Sequence, residues 1–161
     1  MTKTHRPGLA DGMGLAFWLI VSFTAAWAGS HFQPGVWYER LNKPALTPPS
    51  WVFGPVWMLL YTMMGVAAWL VWQRRHQARV ILALSLFFLQ LGLNALWSYL
   101  FFGIKNPGLA LLDLFALWLA LLATFITFFR HRQTAGMLLL PYLLWVSFAV
   151  YLNLQFWRLN P

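Results

Sequence analysis

Residues 37–57 read WYERLNKPALTPPSWVFGPVW and separate two long apolar runs. The stretch holds four prolines, at Pro44, Pro48, Pro49 and Pro55. Each proline lacks a backbone N–H and restricts the residue before it, so this spacing predicts that no helix continues through the stretch. Tryptophans at its ends and polar side chains between them predict a rigid aromatic loop. We expect this loop to lie at the functional end of the molecule.

The composition indicates an integral membrane protein. The 161-residue chain is 61% hydrophobic and 9% charged, with a mean hydropathy of +0.64. A soluble domain of this length carries far more charge. Five apolar runs each have about 20 residues or more, enough to cross ~30 Å of hydrocarbon. The predicted fold is all-α, a single domain of five transmembrane helices over residues 1–161. The predicted helices cover about residues 10–32, 51–73, 79–102, 108–130 and 134–157, and a loop that covers the bundle like a lid spans residues 33–50.

The first apolar run also has features of a secretory signal. Basic residues precede it, and Ala26-Trp27-Ala28 is typical of a signal-peptidase site. The run before that site is long for a signal sequence, and apolar character continues to Phe32. The pattern therefore favours a retained transmembrane helix.

The basic residues predict the orientation of the bundle in a lipid bilayer. Despite a net charge of +8, they lie singly or in pairs at the ends of the apolar runs, where they favour lipid headgroups over nucleic acid. Seven lie at one end and four at the other: Lys3, Arg6, Arg74, Arg75, Arg79, Arg130 and Arg132 against Arg40, Lys43, Lys105 and Arg158. The positive-inside rule predicts a cytoplasmic N-terminus and an external loop. Because bacterial outer-membrane proteins are usually barrels, we expect a bacterial cytoplasmic membrane, with the outer membrane as the alternative.

The sequence offers little for chemistry by side chains. It contains no cysteine, which excludes disulfides, thiolate metal sites and a cysteine nucleophile. Its four histidines, at positions 5, 31, 76 and 131, lie outside the deep parts of the runs, so we expect no axial haem ligand from the membrane layer. There is no phosphate-binding glycine loop and no Ser/His/Asp arrangement. We therefore expect no catalytic residue, no metal site and no required cofactor.

Several polar and aromatic residues fall at similar depth beneath the loop. At a rise of 1.5 Å per residue, most lie ~6–12 Å below the loop-side surface. By depth or by helical phase the set contains Trp57, Tyr61, Asn94, Trp97, Asp113, Trp145, Ala149 and Asn153. Aromatic side chains with a few amide and phenol groups suit a flat, mostly apolar ligand. Tryptophans at the membrane interface are the alternative, which we expect for Trp37, Trp51, Trp72 and Trp157.

Asp113 is a carboxylate inside an apolar run and has two interpretations. The functional one is a proton relay or a partner for a ligand cation. The structural one is an acid near a helix N-terminus, favoured by the helix dipole and bonded to a neighbour such as Asn94. Because one carboxylate makes no acid–base pair, the sequence favours the structural role.

Five motifs carry a resemblance to a known family. They are WYERLNKPALTPPSWVFGPVW at 37–57, LYTMMG at 60–65, QLGLNALWSYLFFG at 90–103, ALLD at 110–113 and PYLLWVSFAVYLN at 141–153. Together they resemble the tryptophan-rich sensory protein or translocator protein family (TspO, the peripheral benzodiazepine receptor family), from about residue 10 to the end. The resemblance implies five transmembrane helices, frequent homodimers and a pocket under the first long loop. In that family the pocket binds porphyrins, haem-like tetrapyrroles and isoquinoline-type drugs, and some members bind sterols.

The resemblance also implies which residues surround the pocket. They are Tyr38, Pro48, Trp57, Tyr61, Asn94, Trp97, Trp145 and Ala149. Two departures stand out. Tyr151 and Arg158 are separated by six residues, one more than the family's cholesterol-recognition pattern allows. Leu109 replaces a tryptophan that many members carry before the ALLD-like run.

The expected function is that of a membrane receptor for porphyrins and related tetrapyrroles, with porphyrin or haem as the ligand and transport or stress-linked regulation as its use. One alternative is a catalyst of light-dependent porphyrin breakdown, which some family members are said to promote. Another is a transporter of small molecules or sterols. The five runs show no pair of repeated halves and no broken mid-membrane helix, which disfavours alternating access.

Overall fold

The structure, a computed structural model, describes residues 9–161, with side chains described from Gly12 onward. The predicted basic flank at Lys3 and Arg6, and His5, lie outside the described residues. Six helices are present in this part: α1 Leu9–Ser30, α2 Val36–Arg40, α3 Ser50–Trp72, α4 Val80–Ser98, α5 Pro107–His131 and α6 Gln133–Leu159. A π-helical turn, Tyr99–Gly103, extends α4. All but α2 are long and apolar enough to cross a membrane, and no strand occurs over residues 9–161, so the predicted all-α membrane fold is confirmed.

The five long helices form a closed ring. Going round it, α1 packs on α3, α3 on α6, α6 on α5, α5 on α4, and α4 on α1. The centre is filled by large side chains from several helices, among them Met64, Phe87, Leu117 and Tyr142. Most other apolar side chains point outward, as expected for helices whose outer faces meet lipid.

One of the four prolines, Pro55, falls within the helix predicted over about residues 51–73, and the other three precede it. The chain runs without a long helix only up to Pro49, which precedes the first residue of α3. Pro55 lies inside α3. In the second turn of a helix a proline removes one backbone hydrogen bond, and Pro55 is exposed. Pro141 is tolerated within α6 in the same way.

Helix α1 is built into the bundle, which favours a retained span over a cleaved signal. Trp18 is buried, and its ring lies edge-on to that of Phe87 with centroids 5.8 Å apart. At Gly65 of α3 the two backbones approach closely. A Cβ added there would lie 3.0 Å from the Cα of Leu19 and 3.1 Å from the carbonyl oxygen of Trp18. The lack of a Cβ at Gly65 therefore allows this short distance between α1 and α3.

Gly65→Ala is expected to lower the stability of the bundle. The added methyl group meets backbone atoms that cannot rotate away, and overpacking of this kind costs about 1–3 kcal/mol. Gly92→Ala is the matched control, because a Cβ at Gly92 meets nothing within 4 Å. Thermal unfolding in detergent, followed by circular dichroism, should show a lower midpoint for the Gly65 variant and no loss for the control. Equal midpoints would rule out close backbone contact between α1 and α3.

The loop between α1 and α3, residues 31–49, lies over one end of the bundle and we call it the lid. Its middle is tied to the end of α6. The backbone N–H of Asn42 donates to the side-chain oxygen of Asn160 (2.8 Å), and the amide of Asn160 donates back to the Asn42 carbonyl (3.1 Å). The Asn42 side chain donates to the carbonyl of Leu159 (3.2 Å). Hydrogen bonds from both sides therefore hold the lid on α6.

A tight connection joins α4 to α5 at the same end. The π-helical turn closes with a hydrogen bond from the N–H of Ile104 to the carbonyl of Tyr99 (2.9 Å). Lys105 then takes a left-handed conformation with φ 57°, which reverses the chain. The side chain of Asn106 accepts from the N–H of Leu109 (3.0 Å) and caps α5. The wider π turn directs Phe101 inward, where it is buried below the lid.

Candidate functional site

A chain of hydrogen bonds crosses the bundle and links α3, α4 and α6. The hydroxyl of Tyr61 donates to the side-chain oxygen of Asn94. The amide of Asn94 then donates to the hydroxyl of Tyr142 over 2.9 Å. All three side chains are buried. Polar groups inside a membrane are costly when they lack partners, so this chain fixes the three helices in one arrangement.

Two tryptophans flank this polar chain on the lid side. Together with the two tyrosines of the chain they form a group that we call the aromatic box: Trp57, Tyr61, Tyr142 and Trp145. Trp57 stacks on Tyr61 with ring centroids 5.4 Å apart and planes 29° from parallel. Trp57 also meets Trp145 edge-to-face at 6.5 Å and Tyr142 at 6.0 Å. Trp57 and Trp145 are only partly buried, unlike the two tyrosines. The box therefore combines apolar faces that can be reached with a buried polar floor.

A second group of aromatic side chains lies directly beneath the lid, and we call it the lid cluster. It contains Tyr38, Trp97, Phe101, Phe102 and Phe156. Trp97 stacks on Phe101 at 5.3 Å, and Tyr38 of α2 lies 5.6 Å from Phe102 and 5.5 Å from Phe156 between ring centroids. The cluster attaches the lid to α4 and α6.

Tyr38 is the titratable group of the lid cluster outside the spans. Burial among the phenylalanines raises the pKa of its phenol above the usual 10.0. The ammonium of Lys43 lies 5.1 Å from the centre of the ring. The phenol therefore stays neutral at physiological pH, and the lid cluster carries no ionised group that titrates there.

Asn153 joins the lid cluster to the helices around it. The indole N–H of Trp97 donates to the side-chain oxygen of Asn153 (3.0 Å), and the amide of Asn153 donates to the carbonyl of Pro107 (2.7 Å). These two bonds connect α4, α6 and the start of α5. The orientation of Trp97 is therefore fixed by a buried partner, and its ring faces Phe101 and Phe102.

The residues predicted from sequence thus fall into two neighbouring groups. Trp57, Tyr61 and Trp145 are in the aromatic box, and Asn94 forms its polar floor. Tyr38 and Trp97 belong to the lid cluster. Ala149 is half-buried and packs against the core, and Pro48 is half-buried within the lid. Trp97 also packs against the main core, so it adjoins both groups.

The prediction that Asp113 bonds to Asn94 is wrong. Asp113 is 7% exposed, and its Oδ2 has no hydrogen-bond partner among the described residues. Both hydrogen-bonding groups of the Asn94 side chain are engaged by Tyr61 and Tyr142 instead. The amide oxygen of Asn94 accepts from one phenol and its NH2 group donates to the other, so Asn94 bonds to α3 and α6 although α5, which carries Asp113, packs directly on α4.

The sequence interpretation did not select Tyr142 or Phe101. Their helical spacing from predicted residues could have indicated both. Tyr142 lies three residues before Trp145 and therefore on the same face of α6, and Phe101 lies four residues after Trp97. Tyr142 was missed because it is also buried as a core side chain, and periodicity does not separate core from site.

A cavity of about 440 Å³ opens at the lid end, and none of its lining residues belongs to the aromatic box. It lies between the lid, the α4–α5 connection and the end of α6. Its lining includes Trp37, Leu41, Lys105, Asn106 and Trp157. Trp37, predicted at the interface, packs against Phe101 with centroids 5.8 Å apart. The box itself is filled by its own side chains.

Comparison with known proteins identifies the family. The model of the TspO/MBR family matches residues 14–158, from the first turns of α1 to the last turn of α6. The chain belongs to the TspO/MBR family. The predicted membership is therefore confirmed, and the match includes the lid, the aromatic box and the lid cluster. This TspO/MBR chain is an integral, multi-pass membrane protein with five membrane-length helices.

Curated members of the family are similar over most of their length. The tryptophan-rich protein TspO of Archaeoglobus fulgidus is 42% identical over 147 residues, which are 88% of this chain and 94% of that protein. The translocator protein of Homo sapiens is 40% identical over 137 residues, 82% and 81% of the two chains. The protein CrtK of Rhodobacter capsulatus is 35% identical over 147 residues, 91% and 92% of the two. The TspO/MBR fold of this chain is thus shared with proteins from archaea, bacteria and animals.

Proposed function

We propose that this protein is a membrane receptor that binds porphyrins and related tetrapyrroles in the aromatic box, beneath the lid. The observation that carries the proposal is the pairing of partly accessible indole faces with a buried row of amide and phenol groups. We further propose that the protein transports the bound tetrapyrrole or takes part in its stress-linked regulation.

The chemistry of the box suits a flat ring with a polar centre. Aromatic faces attract other aromatic rings in offset-stacked or edge-to-face arrangements, and each such pair adds ~0.5–1.5 kcal/mol beyond the burial of area. Trp57 and Trp145 stand nearly perpendicular, at 86°, so a planar ligand stacked on one meets the edge of the other. Tyr61 and Asn94 lie at the floor, where they can orient polar atoms of the ring.

A ligand that inserts between Trp57 and Tyr61 requires one of these two rings to move. The rings of Trp57 and Tyr61 have centroids 5.4 Å apart, whereas a third ring between two others at van der Waals contact needs about 7 Å. A ligand must therefore separate this pair or lie on the outer face of Trp57. The hydrogen bonds of Tyr61 leave it less free than Trp57, so we expect the indole to move.

The lid is proposed to slow ligand release, and its tether to α6 gives a prediction. Asn160→Ala removes both hydrogen bonds between the Asn160 side chain and Asn42, whereas Asn42→Ala removes only the bond to Leu159. We expect faster protoporphyrin dissociation in the Asn160 variant, by about five- to thirtyfold if one or both bonds contribute ~1 kcal/mol each. The Asn42 variant should show a smaller effect. Stopped-flow fluorescence measures both rates, and unchanged rates would show that the lid does not gate release.

A titration of the purified protein tests the proposed function. Protoporphyrin, haem and a sterol are added separately to the protein in detergent, and binding is followed by quenching of tryptophan fluorescence and by absorbance. The proposal expects saturable binding of the two tetrapyrroles at micromolar or lower concentration and weaker binding of the sterol. Sterol binding tighter than both tetrapyrroles would contradict it.

The same samples separate binding from light-dependent breakdown. A tryptophan next to a photoexcited porphyrin can supply an electron, so decay of protoporphyrin absorbance under illumination is measured with the wild type and with a Trp97→Phe, Trp145→Phe double variant. We propose binding without catalysis and expect equal decay rates. Faster decay with the wild type would instead favour the degrading activity.

A further inference from the structure

Arginines from two connections meet at the end of the bundle opposite the lid. A single residue, Arg132, joins α5 to α6, and the hairpin is tight, since a Cβ added at Gly136 would lie 2.7 Å from the Cα of Phe129. The guanidinium of Arg132 donates to the side-chain oxygen of Gln73 over 3.1 Å. This bond ties the α5–α6 hairpin to the α3–α4 connection, so the basic groups of both connections keep a fixed relation.

A cavity of about 550 Å³ lies between these two connections. It is lined by Arg74, Phe129, Arg130, His131, Arg132, Gln133 and Thr134. Three arginines thus border one space. The first turn of α6 at its edge contains no acidic residue and has no side-chain cap. The cavity therefore combines positive side chains with a helix end that favours negative charge.

No described carboxylate balances these charges. The chain has three acidic residues, and two of them, Glu39 and Asp113, lie towards the lid end. The side chain of the third, Asp11, is outside the described part of the structure. Close arginines repel one another, so an anion bound among them would relieve the repulsion as well as form new bonds.

The position of the cavity points to a lipid as the source of the anion. Phe129, one of its lining residues, is 37% exposed, and Ile126 one turn deeper is 40% exposed on the outer surface of α5. On the α3 side, the guanidinium of Arg75 lies 4.3 Å from the ring centre of Trp72, an arrangement typical of a membrane interface. The cavity thus joins a basic aqueous border to an apolar surface that leads towards the membrane centre.

We propose that this cavity binds the headgroup phosphate of an anionic phospholipid. Arg74, Arg130 and Arg132 contact the phosphate oxygens, and the acyl chains extend past Phe129 along α5. The site is separate from the aromatic box and does not depend on the proposed tetrapyrrole function. Basic pockets between transmembrane helices are a recognised way to bind such headgroups.

A charge-matched pair of variants tests the site. One carries Arg74→Gln and Arg130→Gln, which spares the Arg132–Gln73 bond, and the other carries Lys105→Gln and Arg158→Gln at the lid end. Short-chain phosphatidylglycerol, short-chain phosphatidylcholine and glycerol phosphate are added in detergent, and the shift of the thermal midpoint is recorded against concentration. We expect phosphatidylglycerol to stabilise the wild type and the lid-end variant with equal affinity. The Arg74/Arg130 variant should need about tenfold more of it.

Three results would overturn the proposal. Equal affinity in both double variants would show that the lipid does not use these arginines. Stabilisation by glycerol phosphate at the same concentrations would show a site for a free anion. Equal stabilisation by phosphatidylcholine would show that the net negative charge of the lipid does not contribute to binding. If the glutamine pair does not fold, the single variant Arg130→Gln replaces it and should need about three- to fivefold more phosphatidylglycerol than the wild type. Unchanged affinity in this single variant would overturn the proposal as well.

Discussion

Replacing Trp57 with alanine is expected to raise the dissociation constant for protoporphyrin about tenfold or more. Trp57 presents the one large face of the aromatic box that is both partly accessible and stacked on Tyr61. Loss of its ring removes a stacking partner worth ~0.5–1.5 kcal/mol and the area it buries, and 1.4 kcal/mol corresponds to a tenfold change. Equilibrium titration of protoporphyrin absorbance measures the effect without depending on the protein's own fluorescence.

Trp51→Ala is the matched control for this prediction. Trp51 is on the same helix but is 73% exposed and has no ring contact with the aromatic box. Its replacement should leave the dissociation constant within about twofold, a difference well below 1 kcal/mol. Trp145→Ala should weaken binding to a similar extent as Trp57→Ala. Unchanged affinity in both box variants would defeat the assignment of the ligand site.

Replacing Asn94 with leucine is expected to destabilise the bundle more than any other single change at the polar floor. Asn94 is the shared partner of Tyr61 and Tyr142, so leucine leaves two buried phenols without their bond. Each lost bond costs ~1–2 kcal/mol, towards the upper values measured inside membranes, and the pair about 2–4 kcal/mol. The measurement is unfolding in a mixed detergent with increasing dodecyl sulfate, followed by circular dichroism.

Tyr61→Phe separates the polar contribution of this row from its packing. It keeps the ring on Trp57 and removes only the bond to Asn94. Its expected cost is about half that of Asn94→Leu, about 1–2 kcal/mol. If the leucine variant unfolds at the same dodecyl sulfate concentration as the wild type, the row does not hold the helices together.

Apolar length and residue type were enough to predict most of the fold. Runs of apolar residues bounded by basic pairs fix the number of spans, because only a helix satisfies its own backbone in lipid. Pro49 marks the start of α3 correctly. Pro55 falls inside the predicted helix and inside α3, where it removes one backbone hydrogen bond of its own helix.

The composition of the candidate site was more predictable than its connections. Depth and phase select Trp57, Asn94 and Trp145, because both quantities follow from the regular rise and turn of a helix. They do not say which helices are neighbours. The ring order places α4 between α1 and α5, yet the buried side chain of Asn94 bonds across the bundle to tyrosines of α3 and α6 and not to Asp113 of the neighbouring α5. Such partnerships depend on packing across the bundle, which one sequence does not specify.

The central claim is that a tetrapyrrole occupies the aromatic box, and the indole N–H signals of the 11 tryptophans test it most directly. Two-dimensional NMR of protein labelled with ¹⁵N-tryptophan, assigned by single Trp→Phe variants, is recorded with and without protoporphyrin. The strong ring current of a porphyrin shifts protons within a few ångströms of it. The structure predicts the largest shifts at Trp57 and Trp145, with Trp51, Trp72 and Trp157 unchanged. Large shifts confined to those three interfacial tryptophans, with Trp57 and Trp145 unmoved, would contradict the account.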